Sequence, residues 1–335
     1  MTSKPLETFN RTDAVRDGTP AFTISALIVT WNSADALPGL FETLQTGPAV
    51  EVVHVDNAST DASIDVGRTW RGTITQIRNA RNAGFAAALK QAAAVATGRY
   101  LLIANPDLRL EPGAVATLAS RLDDDPAVGA AGPKLLESDG TVQLFCARRL
   151  PNLAGAAAAA FGVRRLIAGR LLDPYTFGRQ SYDEERDVPC LSGAAMLVRR
   201  EALEAVGGID DRWFMYFEDI DLCARLGQAG WRLRYVPAAV GRHAGAASSP
   251  RDDRLRVWLA VHLEAALNLF FSIHRGRAAA SVHRALVGVR GVLVLAASPV
   301  TGAESARLGA ALLAWAVARR TPGGAPTDAG VPATS

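Results

Sequence analysis

Cysteine is scarce in this chain. Three cysteines in 335 residues (Cys146, Cys190, Cys223), none in a CxxC pair, exclude a disulfide framework and a zinc ribbon and predict free thiols. No GxGxxG follows the first apolar run, and no GxxxxGKS/T occurs, which disfavours dinucleotide oxidoreductases and P-loop nucleotidases. Residues 1–21 lack the apolar stretch of a signal peptide and are expected to be a flexible leader. The longest apolar run, Ala285–Val300, is broken by Arg290 and falls short of the ~20 residues of a membrane span. Helices lying on a membrane surface fit it better. Residues 321–335 are rich in Pro, Gly, Thr and Ala and are expected to be disordered.

What is present is a globular composition, 49% hydrophobic and 21% charged. The net charge of +3 hides an asymmetry: residues 251–320 hold ten Arg against four acids, or +6, leaving −3 for the rest. A basic, Ala/Leu-rich C-terminal segment points to an anionic surface. Beyond Trp258, Phe270 and Phe271 it lacks the interleaved aromatics that stack on bases, which disfavours nucleic acid. The alternative is a packed helical subdomain with solvated arginines.

The body alternates strand and helix patterns. Apolar runs at Ile24–Thr30, Val50–Val55, Thr73–Ile77 and Tyr100–Ala104 predict buried strands. Ala34–Leu44, a segment from Ser59 or Thr60 to about Thr69, Phe85–Ala96 and Pro112–Leu122 predict the helices between them. This order predicts a parallel sheet with helices on both faces, a domain over 22–250, and ligands at the carboxyl ends of the strands. A basic amphipathic helical segment over 251–320 would follow.

Four polar clusters fall at or after strand ends. Asp56-Asn-Ala-Ser-Thr-Asp61 offers a carboxylate that can accept the N3–H of uracil or thymine; turn and helix-start chemistry accounts for it as well. Asn105-Pro-Asp107 offers a rigid carboxylate for a divalent cation, or simply a turn. Glu218, Asp219 and Asp221 follow the aromatic run 213–217, which would desolvate an acid toward general-base duty; helix capping is the alternative. His243 in a small-residue loop is a metal or phosphate contact, or neither.

In order, TWN, DNASTD, NAGF (Asn82–Phe85), NPD, GPKLL, SGAAMLVRR, EAVGGID, FMYFEDIDLCARL and HAGAAS resemble family 2 glycosyltransferases, in particular bacterial rhamnosyltransferases, over about Ser25–Ser248. The resemblance implies a GT-A fold, α/β with a mostly parallel sheet and flanking helices, followed here by the C-terminal helical segment. It implies an inverting, Mg2+- or Mn2+-dependent enzyme using a nucleotide-sugar, dTDP-L-rhamnose first and a UDP-sugar next. The acceptor would be a polyprenyl-diphosphate-linked sugar or a cell-envelope glycan. The enzyme would be cytoplasmic, peripheral on the inner face of the membrane, with no nucleic-acid partner; monomer and homodimer both stay open.

By the same resemblance Thr30, Asn32 and Asp56 contact base and ribose, with Asn82, Gly84 and Phe85 along that pocket. Asp107 is the last acid of the metal motif, Asn105 replaces its first, and His243 reaches the metal or diphosphate. Asp219 is the catalytic base with Glu218 before it, and Ser192 and Gly193 flank sugar and acceptor. Ala88–Ala92 departs from the family's Gly-Asn-Asn-x-Gly; Lys90 there is solvated or touches the donor. The competing reading is a catalytically silent nucleotide-sugar-binding or scaffold protein on the same fold.

Overall fold

The computed structural model describes residues 7–11, 23–161, 176–177, 182–243 and 253–318. They divide into two compact units. The first takes residues 7–148 and 182–243; the second takes 149–161, 176–177 and 253–318. Residues 149–161 and 176–177, which the sequence pattern left inside the 22–250 domain, group with the C-terminal helices.

The first unit begins with β1 (Glu7–Arg11) and β2 (Ile24–Thr30), followed by β3 (Val50–Asp56), β4 (Ile74–Arg78) and β5 (Tyr100–Ala104). Every residue of β2, β3 and β5 is buried, as continuous apolar runs covered on both faces require. β4, β3, β2 and β5 lie side by side and parallel. The helices Leu37–Gln45, Ser63–Gly67 and Phe85–Val95 are the crossovers. β1 pairs antiparallel with β4, so Glu7–Arg11 of the expected leader is an edge strand. The rest of that leader and the expected tail 321–335 lie outside the described residues.

β6 (Leu108–Leu110), β7 (Val128–Leu136), β8 (Ala147–Arg148), β9 (Arg186–Asp187), β10 (Cys190–Leu191), β11 (Ala195–Arg199) and β12 (Arg232–His243) complete the unit. The main sheet runs β1-β4-β3-β2-β5-β11-β7-β12-β6, with β9 on β12, and β8 pairs with β10 separately. Six of its ten strands share one direction; β11 opposes both its neighbours. Ala195 pairs with Ala104, so the segment entering β11 meets the carboxyl end of β5. His243 pairs with Leu108, which brings the end of β12 beside the turn after β5.

The second helix starts at Ser63, not after Ser59. Asp61 Oδ1 accepts the Ser63 N–H at 2.9 Å, while Ser59 Oγ accepts the Asn32 N–H at 2.9 Å and is thereby used in a loop.

The second unit holds the helix Leu153–Ala160, capped by Asn152, and three C-terminal helices: Asp253–His274, Gly276–Thr301 and Ala303–Ala318. Gly276 (φ 85°) and Gly302 (φ 93°) make the two turns. Gly309 lets the last two helices meet backbone to backbone, since a Cβ there would lie 2.7 Å from Leu295 N. Leu255–His274 and Gly276–Thr301 are long and apolar enough to cross a membrane by length and composition. The apolar run Ala285–Val300 is shorter than a membrane span because it is only the C-terminal part of a 26-residue helix, whose first turns carry Arg277 and Arg284.

Candidate active site

Thr30 and Asp56 end neighbouring strands and are paired in register. Both are fully buried. The Gln76 amide nitrogen lies 3.0 Å from His54 Nδ1. An amide nitrogen only donates, so Nδ1 accepts and Nε2 carries the proton. His54 Nε2 lies 2.7 Å from Thr30 Oγ1, and the Thr30 hydroxyl donates to Asp56 Oδ1 at 3.2 Å. Burial lowers the His54 pKa to about 4, against the pull of Asp56, so this chain ends in a neutral imidazole. Asp56 Oδ2 accepts the Ser59 N–H at 3.1 Å. Asp56 therefore ties the 57–61 loop, through Ser59, to Thr30 of the neighbouring strand, using two of its four lone-pair sites.

Asn57 ties that loop to the next. Its Oδ1 accepts from Asn79 Nδ2 (3.1 Å) and Ala83 N (2.9 Å), and its Nδ2 donates to Asn82 Oδ1 (2.8 Å) and Gly84 O (3.1 Å). Asn82 Oδ1 also accepts the Gly84 N–H at 2.9 Å. Gly84 has φ 91°, and a Cβ on it would lie 2.4 Å from Phe214 O; the Phe85 N–H donates to that same oxygen at 2.6 Å. Glycine is needed here for both reasons. Asn32 (φ 53°) is exposed, with Oδ1 accepting the Thr60 N–H at 2.8 Å. Lys90 is half-exposed and pairs with Asp211 at 3.0 Å.

Asp107 is 8% exposed, yet neither of its carboxylate oxygens has a hydrogen-bond donor among the described residues. His243 Nε2 lies 3.2 Å from Asp107 Oδ1 and 3.2 Å from Asn105 Nδ2. His243 Nδ1 faces Gln143 Oε1 at 3.2 Å, and Gln143 Nε2 donates to His243 O at 2.9 Å. The Gln143 carbonyl only accepts, so Nδ1 holds the proton and Nε2 presents a lone pair. An unpartnered carboxylate oxygen and the imidazole nitrogen that takes the Asn105 N–H thus lie together, and a divalent cation completed by substrate phosphates would take both, displacing the Asn105 amide. Asn105 donates to the imidazole instead of ligating. No group of three or more His, Cys, Asp or Glu converges among the described residues, so protein ligands alone do not fill such a site.

Asp219 opens the helix Glu218–Gln228. Its Oδ2 accepts from Arg148 Nη2 at 3.0 Å and from the Gly193 N–H at 3.0 Å, and its Oδ1 accepts the Ile220 N–H at 2.8 Å. A Cβ on Gly193 would sit 3.0 Å from Asp219 Cβ, so glycine permits the approach. Asp219 raises the Arg148 pKa against the burial that lowers it, and the guanidinium stays charged. Tyr216 (φ 66°) and Phe217 (φ 70°), two left-handed residues in succession, aim this helix start.

The desolvation expected of the aromatic run falls on Glu218 rather than on the base. Burial, then the Asp219 charge, pushes its pKa to about 8, and Glu218 Oε2 has no partner among the described residues. The folded pKa lies above the ordinary carboxyl value of about 4.5, so the contribution of Glu218 to stability is full below about 4.5 and is lost as pH rises through about 8. Glu218→Gln is expected to melt higher than the native chain at pH 8–9, with the difference shrinking toward pH 5; thermal scans across that range check it. Asp221 is buried and paired with Arg225 at 2.8 Å, a structural ion pair.

One short strap joins the two acids. The Asn105 N–H donates to Ala194 O at 3.0 Å, and the Gly193 N–H donates to Asp219 Oδ2 at 3.0 Å. Ser192 turns the strap through its Oγ, which accepts the Ala194 N–H at 3.2 Å. The strap is thus tied at Ala194 to Asn105, two residues before Asp107, and at Gly193 to Asp219 itself. His54, Gln143 and Arg148 were not singled out from sequence. Each sits outside the acidic motifs and meets its partners across 22 to 100 residues of chain, with no local spacing to mark it.

Comparison with known proteins places residues 25–207 in the family described as Glycosyl transferase family 2, and residues 163–293 match Glycosyl transferase family group 2. The N-acetylglucosaminyl-diphospho-decaprenol L-rhamnosyltransferase of Mycobacterium tuberculosis is 34% identical over 225 residues, covering 62% of this chain and 71% of that one. Rhamnosyltransferase WbbL of Escherichia coli is 48% identical over 60 residues, 18% of this chain and 23% of that one. A mannosyltransferase from Pyrobaculum calidifontis, solved with GDP-Man and Mn2+, shares the GT-A fold at a TM-score of 0.54 and 19% identity, over 94% of this chain and 90% of that one.

Proposed function

Because the chain belongs to glycosyl transferase family 2 and to its rhamnosyltransferase branch, we propose that it transfers L-rhamnose from dTDP-rhamnose to a sugar carried on a polyprenyl diphosphate, inverting the anomeric centre. A UDP-sugar is the second candidate donor. The observation that carries this reading is the 192–194 strap, which is bonded both to Asn105 of the NPD turn, where the Asp107 carboxylate is buried without a donor beside His243, and to the ion-paired carboxylate of Asp219.

In this reading the loops after β2, β3 and β4 form the nucleoside pocket, with Thr30 and Asp56 bracing it and Asn32, Asn82, Gly84 and Phe85 lining it. Ser192 and Gly193 border the sugar and acceptor. Asp107 and His243 would hold Mg2+ or Mn2+, whose charge offsets that developing on the diphosphate leaving group. Asp219 takes the proton of the acceptor hydroxyl as its oxygen attacks C1. The C1–O bond to dTDP breaks as the new C1–O bond forms on the opposite face, so no covalent intermediate arises. Arg148 positions Asp219. Glu218, adjacent and carrying its proton at neutral pH, leaves the base role to Asp219. The apolar C-terminal helices hold the enzyme at the inner face of the cytoplasmic membrane, where a lipid-linked acceptor lies.

A donor panel read out as released nucleoside diphosphate tests this. With Mn2+ and a polyprenyl-diphosphate-linked sugar, dTDP-rhamnose is expected to turn over at least about tenfold faster than UDP-sugars, a pocket discrimination of ordinary size. Nucleotide binding without turnover on any donor and acceptor pair would favour the silent scaffold instead.

A further inference from the structure

The three C-terminal helices enclose a groove of about 570 Å³ within the second unit. One bank is polar: Ser272 comes from Asp253–His274, and Arg277, Ser281 and Arg284 come from Gly276–Thr301. The other bank is apolar, formed by Leu313, Ala316 and Val317 of Ala303–Ala318. Arg277 and Arg284 are seven residues apart, two turns or about 10 Å along one helix face, with Ser281 between them.

Two other arginines of this unit are paired with carboxylates: Arg256 with Glu304 at 3.3 Å and Arg290 with Glu264 at 2.5 Å. Among the described residues neither Arg277 nor Arg284 has a carboxylate partner. Arg284 lies over the Trp315 ring, 5.7 Å from its centroid, with Asn268 Oδ1 at 3.5 Å. The indole face orients this guanidinium without neutralising it. Beyond the groove the same helix exposes Val289, Val292 and Leu293.

Two uncompensated guanidiniums and two hydroxyls beside an apolar wall select a ligand that is anionic at one end and hydrocarbon at the other. Guanidinium forks bind phosphate oxygens bidentately. Two positive charges match a dianionic terminal phosphate better than a monoanionic phosphodiester. We infer that this groove binds the terminal phosphate head of a membrane lipid, with Arg277 and Arg284 on the phosphate and the chain along Leu313, Ala316 and Val317.

Vesicle flotation of the full-length protein, without nucleotide-sugar, tests the inference apart from any turnover. Phosphatidylcholine vesicles carrying phosphatidic acid are compared with phosphatidylglycerol vesicles matched in surface charge. Native protein is expected to bind the former about tenfold more tightly. The double variant Arg277→Gln, Arg284→Gln is expected to lose that preference. Gly288→Leu is expected to lose it too: Gly288 lines the groove, and its added Cβ meets only Ala316 Cβ at 3.5 Å, an ordinary contact, so the larger side chain takes up groove space; a melting curve unchanged from native checks that the helices stay packed. Arg68→Gln with Arg71→Gln, a charge-matched change in the first unit, is expected to keep it. Equal binding to both vesicles, or a preference that survives both groove variants, would overturn the lipid site. So would inorganic diphosphate, tested alone by calorimetry, binding as tightly as the vesicles.

Discussion

Asp219→Asn is expected to lower kcat for sugar transfer by about a thousandfold, the middle of the range for losing a positioned general base. The amide keeps the size of the carboxylate, and its single carbonyl oxygen can still accept one of the two N–H groups, from Gly193 or from Ile220, that the two carboxylate oxygens accept in the native chain. It cannot take a proton. Because this interaction is made to the reacting hydroxyl, kcat and kcat/KM should fall together while the KM for the donor holds. Arg148 loses its anion in this variant. That pair is partly exposed, with side chains 20% and 11% accessible, so the stability loss should be well below that of a fully buried pair. Steady-state kinetics beside a melting curve separate the two effects. Activity within tenfold of native would remove Asp219 from the chemistry.

Asp107→Ala is expected to act in the opposite sense on the empty and loaded protein. Both Asp107 oxygens are buried without a donor, so the carboxylate destabilises the metal-free fold. Removing it should leave the melting temperature of metal-free protein unchanged or raised. Native protein should gain stability on adding Mn2+, through linkage to a site that only the folded chain holds, and the variant should not. Transfer should fall by about a thousandfold or more, since charge on the leaving group is then uncompensated. Melting curves with and without Mn2+ and a transfer assay in chelator check this. A variant that still responds to Mn2+ would place the cation elsewhere.

The parts of the site legible in sequence are those that follow a strand in the chain. ISALIVT, VEVVHVD and YLLIA declare buried strands by their apolar runs, and the polar residues that stop each run mark the sheet edge where ligands sit. The parts that were not legible act across the chain. His54 is a lone polar residue in a strand, and only the folded register brings Gln76 and Thr30 to its two nitrogens. Arg148 lies on a two-residue strand with no periodicity, 71 residues from Asp219. β1 adds to an open sheet edge from a polar segment whose composition carries no strand signal. The aromatic run before Glu218 was visible as a source of desolvation, but which acid it would enclose depends on the backbone at Tyr216 and Phe217.

The anomeric configuration of the product tests the central claim most directly. A single carboxylate base opposite a diphosphate leaving group predicts one displacement at C1. Rhamnose transferred from dTDP-rhamnose to a polyprenyl-diphosphate-linked sugar should carry the configuration opposite to the donor's, read from the one-bond C1–H1 coupling of the product. Retained configuration, or transfer that persists undiminished in Asp219→Asn, would contradict the account.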